Sequence, residues 1–341
     1  MIVTSPRFAQ ILRMVLTKYR PGADPDNIAK LIIGSPSDNL AYLGDIITGP
    51  FDADKLDYLV RDCYFSGIRA DVDVPRVILS SAIVDRTRFS YDSAPRDNMV
   101  MLRAGVSNLE QVIINKMLLF PSIYHHHKVR AIECMIRGIF ELVWESPERI
   151  LRHTKLRFQT LTDFLDVSEH DFFALGSDEA YLSDPIRKLL NRDLLERCLV
   201  VSMDYIASPG ANTSGLFKVS TEDHPDQIRR LRELMWEHLP RKWRTNIHEL
   251  WVDLPKRPAI SSEVEACFVD AGTKTLATLP TYFPYPRWVE SYQERRWKGH
   301  VFYVARPDHR LAAQRAAHSV FRDVYRVHRW NPAAVAECKL G

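Results

Sequence analysis

Residues 51–68, Phe-Asp-Ala-Asp-Lys-Leu-Asp-Tyr-Leu-Val-Arg-Asp-Cys-Tyr-Phe-Ser-Gly-Ile, put four carboxylates, Lys55, Arg61 and two tyrosines into one short segment. The segment is punctuated as a helix. Gly49-Pro50 stands just upstream, where a proline opens a helix well, and Gly67 closes it, where a glycine ends one. On that helix Asp54, Tyr58 and Asp62 fall at i, i+4 and i+8 on one face, with Arg61 beside them, and Leu56, Leu59, Val60 and Cys63 form the opposite, apolar face. Such a helix can wall a polar cleft. It can equally be a solvated surface, with Asp52 as N-cap, acids favoured by the helix dipole and Asp57–Arg61 as an i, i+4 ion pair. Spacing alone does not choose between the two.

Composition narrows the class. At 341 residues the chain is long enough for two domains with proper cores. Hydrophobic content of 46% and charged content of 26% are those of a soluble globular protein. A formal charge of +3 gives no bulk attraction for nucleic acid. The five cysteines (63, 134, 198, 267 and 338) are odd in number, widely spaced and without a CxxC, as expected of reduced thiols in a cytoplasm. The opening Met-Ile-Val-Thr-Ser-Pro-Arg lacks the basic-then-apolar order of a signal peptide, and no run of about 18 apolar residues exists to span a membrane.

Periodicity predicts helices over 5–19 and from Asp26 as a cap through Ile33, and residues 38–47 lead into the 51–68 helix. Residues 69–104 change character: Val72, Val74, Val77, Ile78 and Leu79, and later Met99 to Leu102, predict the strands of a small hairpin. Helices resume at Asn108 and over 124–145, 160–166, 168–175, 177–192 and 193–205. Ser208-Pro209-Gly210 to Gly215 marks the expected boundary between a helical domain, 1–210, and an α+β lobe, 211–341. That lobe is expected to hold helices at 222–237, 286–295 and 308–325 and strands at 247–253, 265–269 and 300–305. The expected fold is mainly α: a helical bundle with a small β-hairpin, followed by a smaller α+β lobe.

The string Asp52-Ala53-Asp54-Lys55-Leu56-Asp57-Tyr58-Leu59-Val60-Arg61-Asp62, with Gly67-Ile68 after it, resembles the last metal-ligand motif of the HD-domain deoxynucleoside triphosphate triphosphohydrolases. These are the bacterial dGTPase-like enzymes and their vertebrate SAM-and-HD-domain relative. Ile123 to Ala131 resembles the helix downstream of that motif, Asp171 to Leu175 adds a shorter match, and order and spacing agree over roughly residues 30–330. The resemblance implies the C-terminal part of an HD-domain helical bundle, a divalent metal ion, a deoxynucleoside triphosphate substrate and a homo-oligomer. It makes Asp54 the counterpart of the terminal metal ligand and Lys55 that of a phosphate-neutralising lysine, with an exposed helix lysine as the alternative. Tyr58 would pack on the deoxyribose, and Asp62 would accept the 3′-hydroxyl. Arg61 is expected to be structural, paired with Asp57. Tyr124, or His125 with a shift of one residue, would reach the sugar or base. Lys128 and Arg130 would face phosphates or form an exposed basic edge.

The chain also departs from that pattern. The family's metal is bound by a His, then a His-Asp pair, then a distant Asp, whereas none of the 12 histidines here lies before His125. The only His-Asp dipeptide, His170-Asp171, follows Asp54. The resemblance is therefore to the C-terminal part of such an enzyme, or to a descendant that has lost its metal site. A site needing about four ligands is not held by one carboxylate, so this chain alone is expected not to bind the ion. The triple histidine 125–127 does not supply it, because consecutive helical residues point about 100° apart. Basic residues near Trp236, Trp243 and Trp297 raise a nucleic-acid surface as a partner, but Glu233, Glu237 and Glu294 dilute it in favour of packing and an oligomer surface. Two functions stand: a metal-dependent phosphohydrolase of deoxynucleoside triphosphates, incomplete and inactive as this chain alone, and a catalytically silent nucleotide-binding or scaffold module.

Overall fold

The computed structural model describes residues 2–19, 24–37, 40–69, 72–84, 98–145, 163, 167–178, 180–208, 210–219, 224–257, 260–265, 267–270, 276–283 and 285–339. The chain begins with helices α1 (Pro6–Tyr19), α2 (Pro25–Ile32), α3 (Ala41–Thr48), α4 (Ala53–Ser66) and α5 (Val74–Leu79). Strands β1 (Ser81–Ile83) and β2 (Met99–Leu102) follow, then α6 (Val106–Ser122) and α7 (His127–Glu145). Next come α8 (Glu169–Asp178), α9 (Ala180–Leu190), β3 (Glu196–Val201), α10 (Thr213–Lys218), α11 (Pro225–His238) and β4 (Trp251–Asp253). The chain ends with α12 (Ile260–Glu265), β5 (Phe268–Asp270), β6 (Leu276–Thr278), α13 (Tyr285–Arg296), β7 (Gly299–Tyr303), α14 (Pro307–Tyr325) and α15 (Ala333–Ala336). It is mainly helical, and the described residues form two small sheets.

Contacts divide it into two compact units. One is Met1–Phe120 with Pro258–Tyr292; the other is Pro121–Arg257 with Gln293–Gly341. This division differs from the boundary expected at 210/211. The reason lies in β3, which precedes residue 210 yet pairs with β7, so the sheet of the α+β lobe begins earlier in the chain.

In the first unit the caps set the helices. Asp24, not Asp26, caps α2, its carboxylate accepting the Asp26 N–H at 3.1 Å. The expected strand at 72–79 is instead α5: Asp73 accepts the Arg76 N–H at 3.0 Å and Pro75 lies in the first turn, so capping outweighs the β-branched valines. The hairpin itself is present one element later, where β1 pairs antiparallel with β2, Ser81 opposite Met101. β2 then pairs parallel with β5, and β5 antiparallel with β6. Asp45 of α3 accepts the Met99 N–H at 2.8 Å and the Asn98 amide at 3.2 Å, tying that helix to the sheet.

In the second unit β7 is the central strand, antiparallel to both β3 and β4. A helix was expected over 193–205, yet Glu196–Val201 is a strand. Cys198, Leu199, Val200 and Val201 are all buried, a continuous apolar run with no polar face, which suits a strand covered on both sides. One side of the sheet presents Leu199, Val201, Val252, Val301 and Tyr303 to a core shared with Leu231 and Met235 of α11 and Phe321 of α14. The other presents Trp251 and Phe302 to Cys134 and Ile139 of α7 and Leu182 and Ile186 of α9. The helix expected at 160–166 lies outside the described residues except for Asp163.

Arg130 in the first turn of α7 reaches the end of β4, where its Nε and Nη2 donate to the two oxygens of Asp253 at 2.8 and 2.5 Å, and its Nη1 to Glu133 at 2.7 Å. Both Arg130 and Asp253 are buried. Removing Asp253 leaves the buried Arg130 with only the 40%-exposed Glu133 as counter-charge, so Asp253→Ala is expected to cost about 3–5 kcal/mol in urea unfolding. Equal stability of wild type and variant would show that the pair does not hold β4 and α7 together.

Candidate functional site

The start of α4 is built around one aspartate. Asp52, nearly fully buried, accepts the Lys55 N–H at 2.8 Å as N-cap, and its second oxygen pairs with the Lys55 ammonium. That ammonium also donates to the Gly49 carbonyl at 2.9 Å. The charge of Lys55 is therefore engaged in fixing the helix start, a role that neither alternative from the sequence contained. At the other end Gly67 takes the left-handed conformation, φ 73°, that a C-terminal turn requires.

Three faces run along α4. Leu56, Leu59 and Cys63 are buried. Val60, expected with them, is instead 44% exposed and borders a cavity of about 770 Å³ with Leu56, Tyr64, Ile78 and Met99. Asp57 and Arg61 sit on the rim of that cavity and join by two hydrogen bonds of 2.8 Å, the structural pair the spacing predicted. The Arg61 hydrogen bond holds the Asp57 carboxyl below its ordinary value. Asp54, Tyr58 and Asp62 follow one another along the remaining stripe; Asp54 is exposed, and Tyr58 and Asp62 are half-buried.

Tyr124, His125 and Lys128 belong to the second unit. Residues 123–125 form a turn and α7 starts only at His127, so the three histidines are not successive helical positions, contrary to the argument from a helix beginning at 124. Burial, reinforced by the Arg130 charge, pushes His125 down to about 4. Burial and the Arg197 charge push His127 to about 4 as well. Lys128 is exposed, whereas Arg130 is not a basic edge but the buried partner of Asp253.

Other motifs resolve into packing. Asp171 of the His-Asp dipeptide accepts the Ser168 N–H at 2.9 Å and its hydroxyl at 2.7 Å, at the entrance to α8. Trp297 is buried, donating to the Pro255 carbonyl at 2.7 Å. Lys242 lies over the Trp243 ring at 4.8 Å and Arg244 over Trp236 at 5.9 Å, so these basic and aromatic side chains satisfy one another. Sequence reasoning missed His248, whose ring nitrogens lie 2.8 Å from Glu141 and 3.1 Å from Glu145. Its partners are more than a hundred positions away, and no local pattern marks such a residue.

Among the described residues no group of three or more His, Cys, Asp or Glu stands close enough to hold a metal ion. Asp54 supplies one carboxylate, so the described residues do not fit a complete divalent-metal site.

Residues 72–322 match the family described as HD associated region, and the chain belongs to that family. It is 27% identical over 147 residues to the uncharacterised protein MJ1154 of Methanocaldococcus jannaschii, covering 42% of this chain and 31% of that one. It is 24% identical over 200 residues to the uncharacterised protein YwfO of Bacillus subtilis, covering 54% of this chain and 43% of that one. The match thus spans less than half the length of either relative. Two crystal structures share the fold. A hypothetical protein from Aquifex aeolicus superposes with TM-score 0.58 at 17% identity, over 89% of this chain and 68% of its own. A phosphohydrolase from Bacteroides thetaiotaomicron gives 0.57 at 14%, over 87% and 71%. The 51–68 motif lies before the family match begins.

The depressed histidines set a pH dependence. The unfolded chain protonates these side chains near 6.5 and the folded one near 4, so the stability they contribute is full above about pH 6.5 and is lost as pH falls towards 4. NMR titration of the imidazoles is expected to find His125 and His127 neutral at pH 6, with midpoints near 4. Midpoints between about 6 and 7, the ordinary histidine range, would show that neither ring is buried in solution.

Proposed function

We propose that the chain is the substrate-binding part of an HD-type phosphohydrolase acting on deoxynucleoside triphosphates, with the polar stripe of α4 as one wall of the nucleotide site. The observation that carries this reading is the separation of faces on α4. Leu56, Leu59 and Cys63 serve the core, while Asp54, Tyr58 and Asp62 form a carboxylate–phenol–carboxylate row beside it. Membership of the HD associated region family and the fold shared with a phosphohydrolase support it.

In this reading Tyr58 packs on the deoxyribose and leaves no room for a 2′-hydroxyl, and Asp62 accepts the 3′-hydroxyl. Lys55 lies at the phosphate end, where it would share its charge between Asp52 and a phosphate oxygen. On the second unit, taken by itself, Tyr124, His125 and Lys128 are the side chains that the family resemblance assigns to nucleotide contacts, His125 as a neutral ring that donates or accepts without adding charge. Asp54 is the carboxylate placed for a divalent ion; the remaining donors are not among the described residues, so these side chains are read here as binding and orienting groups. The homo-oligomer remains part of the proposal. A nucleotide-binding module without turnover is the second reading, and Lys55 favours it, because its ammonium is already committed to the helix start.

Titration calorimetry separates the outcomes. Wild type is expected to bind a deoxynucleoside triphosphate more tightly than the matching ribonucleotide. Asp62→Asn is expected to weaken that binding by roughly 10- to 150-fold, the 1.5–3 kcal/mol of a hydrogen bond to a charged acceptor. Tyr58→Ala is expected to narrow the preference against the 2′-hydroxyl. Release of inorganic triphosphate in the same samples supports the hydrolase, and binding without release supports the silent module. Equal affinity for both sugars in wild type and variants would contradict both.

A further inference from the structure

His248 sits in the 247–249 turn just before β4 and is buried. Its Nδ1 lies 2.8 Å from Glu141 Oε2 and its Nε2 3.1 Å from Glu145 Oε2, two carboxylates one turn apart on α7. A neutral imidazole has one donor and one lone pair, so both contacts are attractive only when the ring carries its second proton. Deprotonation turns one of them into a lone pair facing a carboxylate.

The surroundings hold this arrangement in place. Arg232 of α11 pairs with Glu141 at 2.9 Å and lies over the Trp251 ring at 4.5 Å, while the Trp251 indole N–H donates to the His248 carbonyl at 2.7 Å. Glu249, next in the turn, pairs at 2.8 Å with Lys188 of α9, which also pairs with Asp184. The groups around the ring are therefore Glu141 and Glu145 from α7 and Arg232 from α11, with Glu249, Lys188, Asp184 and Arg187 forming a separate balanced cluster. His248, Thr245, Asn246 and Glu249 also form one wall of a cavity of about 400 Å³ floored by Ile139 and Leu142.

We propose that His248 is a pH-sensitive latch that holds the 246–249 turn on α7 while protonated and releases the turn, with the cavity wall it forms, when the proton leaves. Burial works against the ring's charge, but the hydrogen bond to Glu141 and the charge and hydrogen bond of Glu145 outweigh it and raise His248 above its ordinary value. A raised value means that the latch contributes fully below the unfolded value near 6.5 and loses its contribution as pH rises through the folded one. This sign is opposite to that of His125 and His127, so the turn loosens on the alkaline side, where those two rings contribute fully.

Hydrogen–deuterium exchange of the full chain, corrected for the intrinsic pH dependence of exchange, reads the latch directly. Between about pH 6 and about pH 8.5, which spans the histidine range and what lies above it, amides of 245–250 are expected to lose protection severalfold. Amides of β7 should hold theirs over the same range. His248→Gln is expected to show the loosened turn at every pH. Because that variant removes a buried side chain, Glu145→Gln is the second arm: Glu145 is 64% exposed, and the variant is expected to move the transition to lower pH. Protection of 245–250 that stays flat across this range in wild type, or a transition that Glu145→Gln leaves in place, would overturn the proposal.

Discussion

Helix α7 is fastened by charge at both ends to one short stretch of chain, His248 to Asp253. Arg130 in its first turn holds Asp253, and Glu141 and Glu145 near its last hold His248. The second unit depends on these contacts, because α7 supplies Cys134, Ile139 and Val143 to the core beneath Trp251 and Phe302. Close approach makes the fit exact in another way: a Cβ at Gly138 would come within 2.6 Å of the His248 carbonyl, so only glycine lets the helix lie this near the turn. The buried Arg130–Asp253 pair resists rearrangement, since either ion would be costly to strand without its partner.

The first unit uses a cheaper device. Asp52 caps α4, pairs with Lys55 and, through Lys55, reaches Gly49, so one side chain sets both the direction and the first turn of the helix. With its ends fixed, α4 carries the polar row of Asp54, Tyr58 and Asp62 on a different stripe from the buried Leu56, Leu59 and Cys63. That division of labour is what allows Asp54, Tyr58 and Asp62 to be read as a surface for a ligand.

How much of this was legible depended on the range of the interaction. The helix at 51–68, its cap, its closing glycine and the Asp57–Arg61 pair are local patterns, and the structure has all of them. Residues 72–79 were misread because valines favour strands, whereas Asp73 and Pro75 together start a helix. The helix expected at 193–205 failed for the opposite reason: an apolar run buried on both sides carries no period that tells strand from helix, and only pairing with β7 decides it. Arg130–Asp253 and His248–Glu141 join residues 123 and 107 positions apart, which no spacing rule can reach. The stripe on α4 is legible because it is a local period, whereas Tyr124, His125 and Lys128 of the second unit lie in a turn and a helix start that periodicity merges into one helix.

The central claim is that the polar stripe of α4 meets the sugar of a nucleotide. A crystal structure with a non-hydrolysable deoxynucleoside triphosphate tests it most directly. The account predicts the deoxyribose packed on Tyr58, with its 3′-hydroxyl within about 2.5–3.0 Å of the Asp62 carboxylate. A nucleotide seated elsewhere on the chain, with the stripe of Asp54, Tyr58 and Asp62 bare, would contradict it.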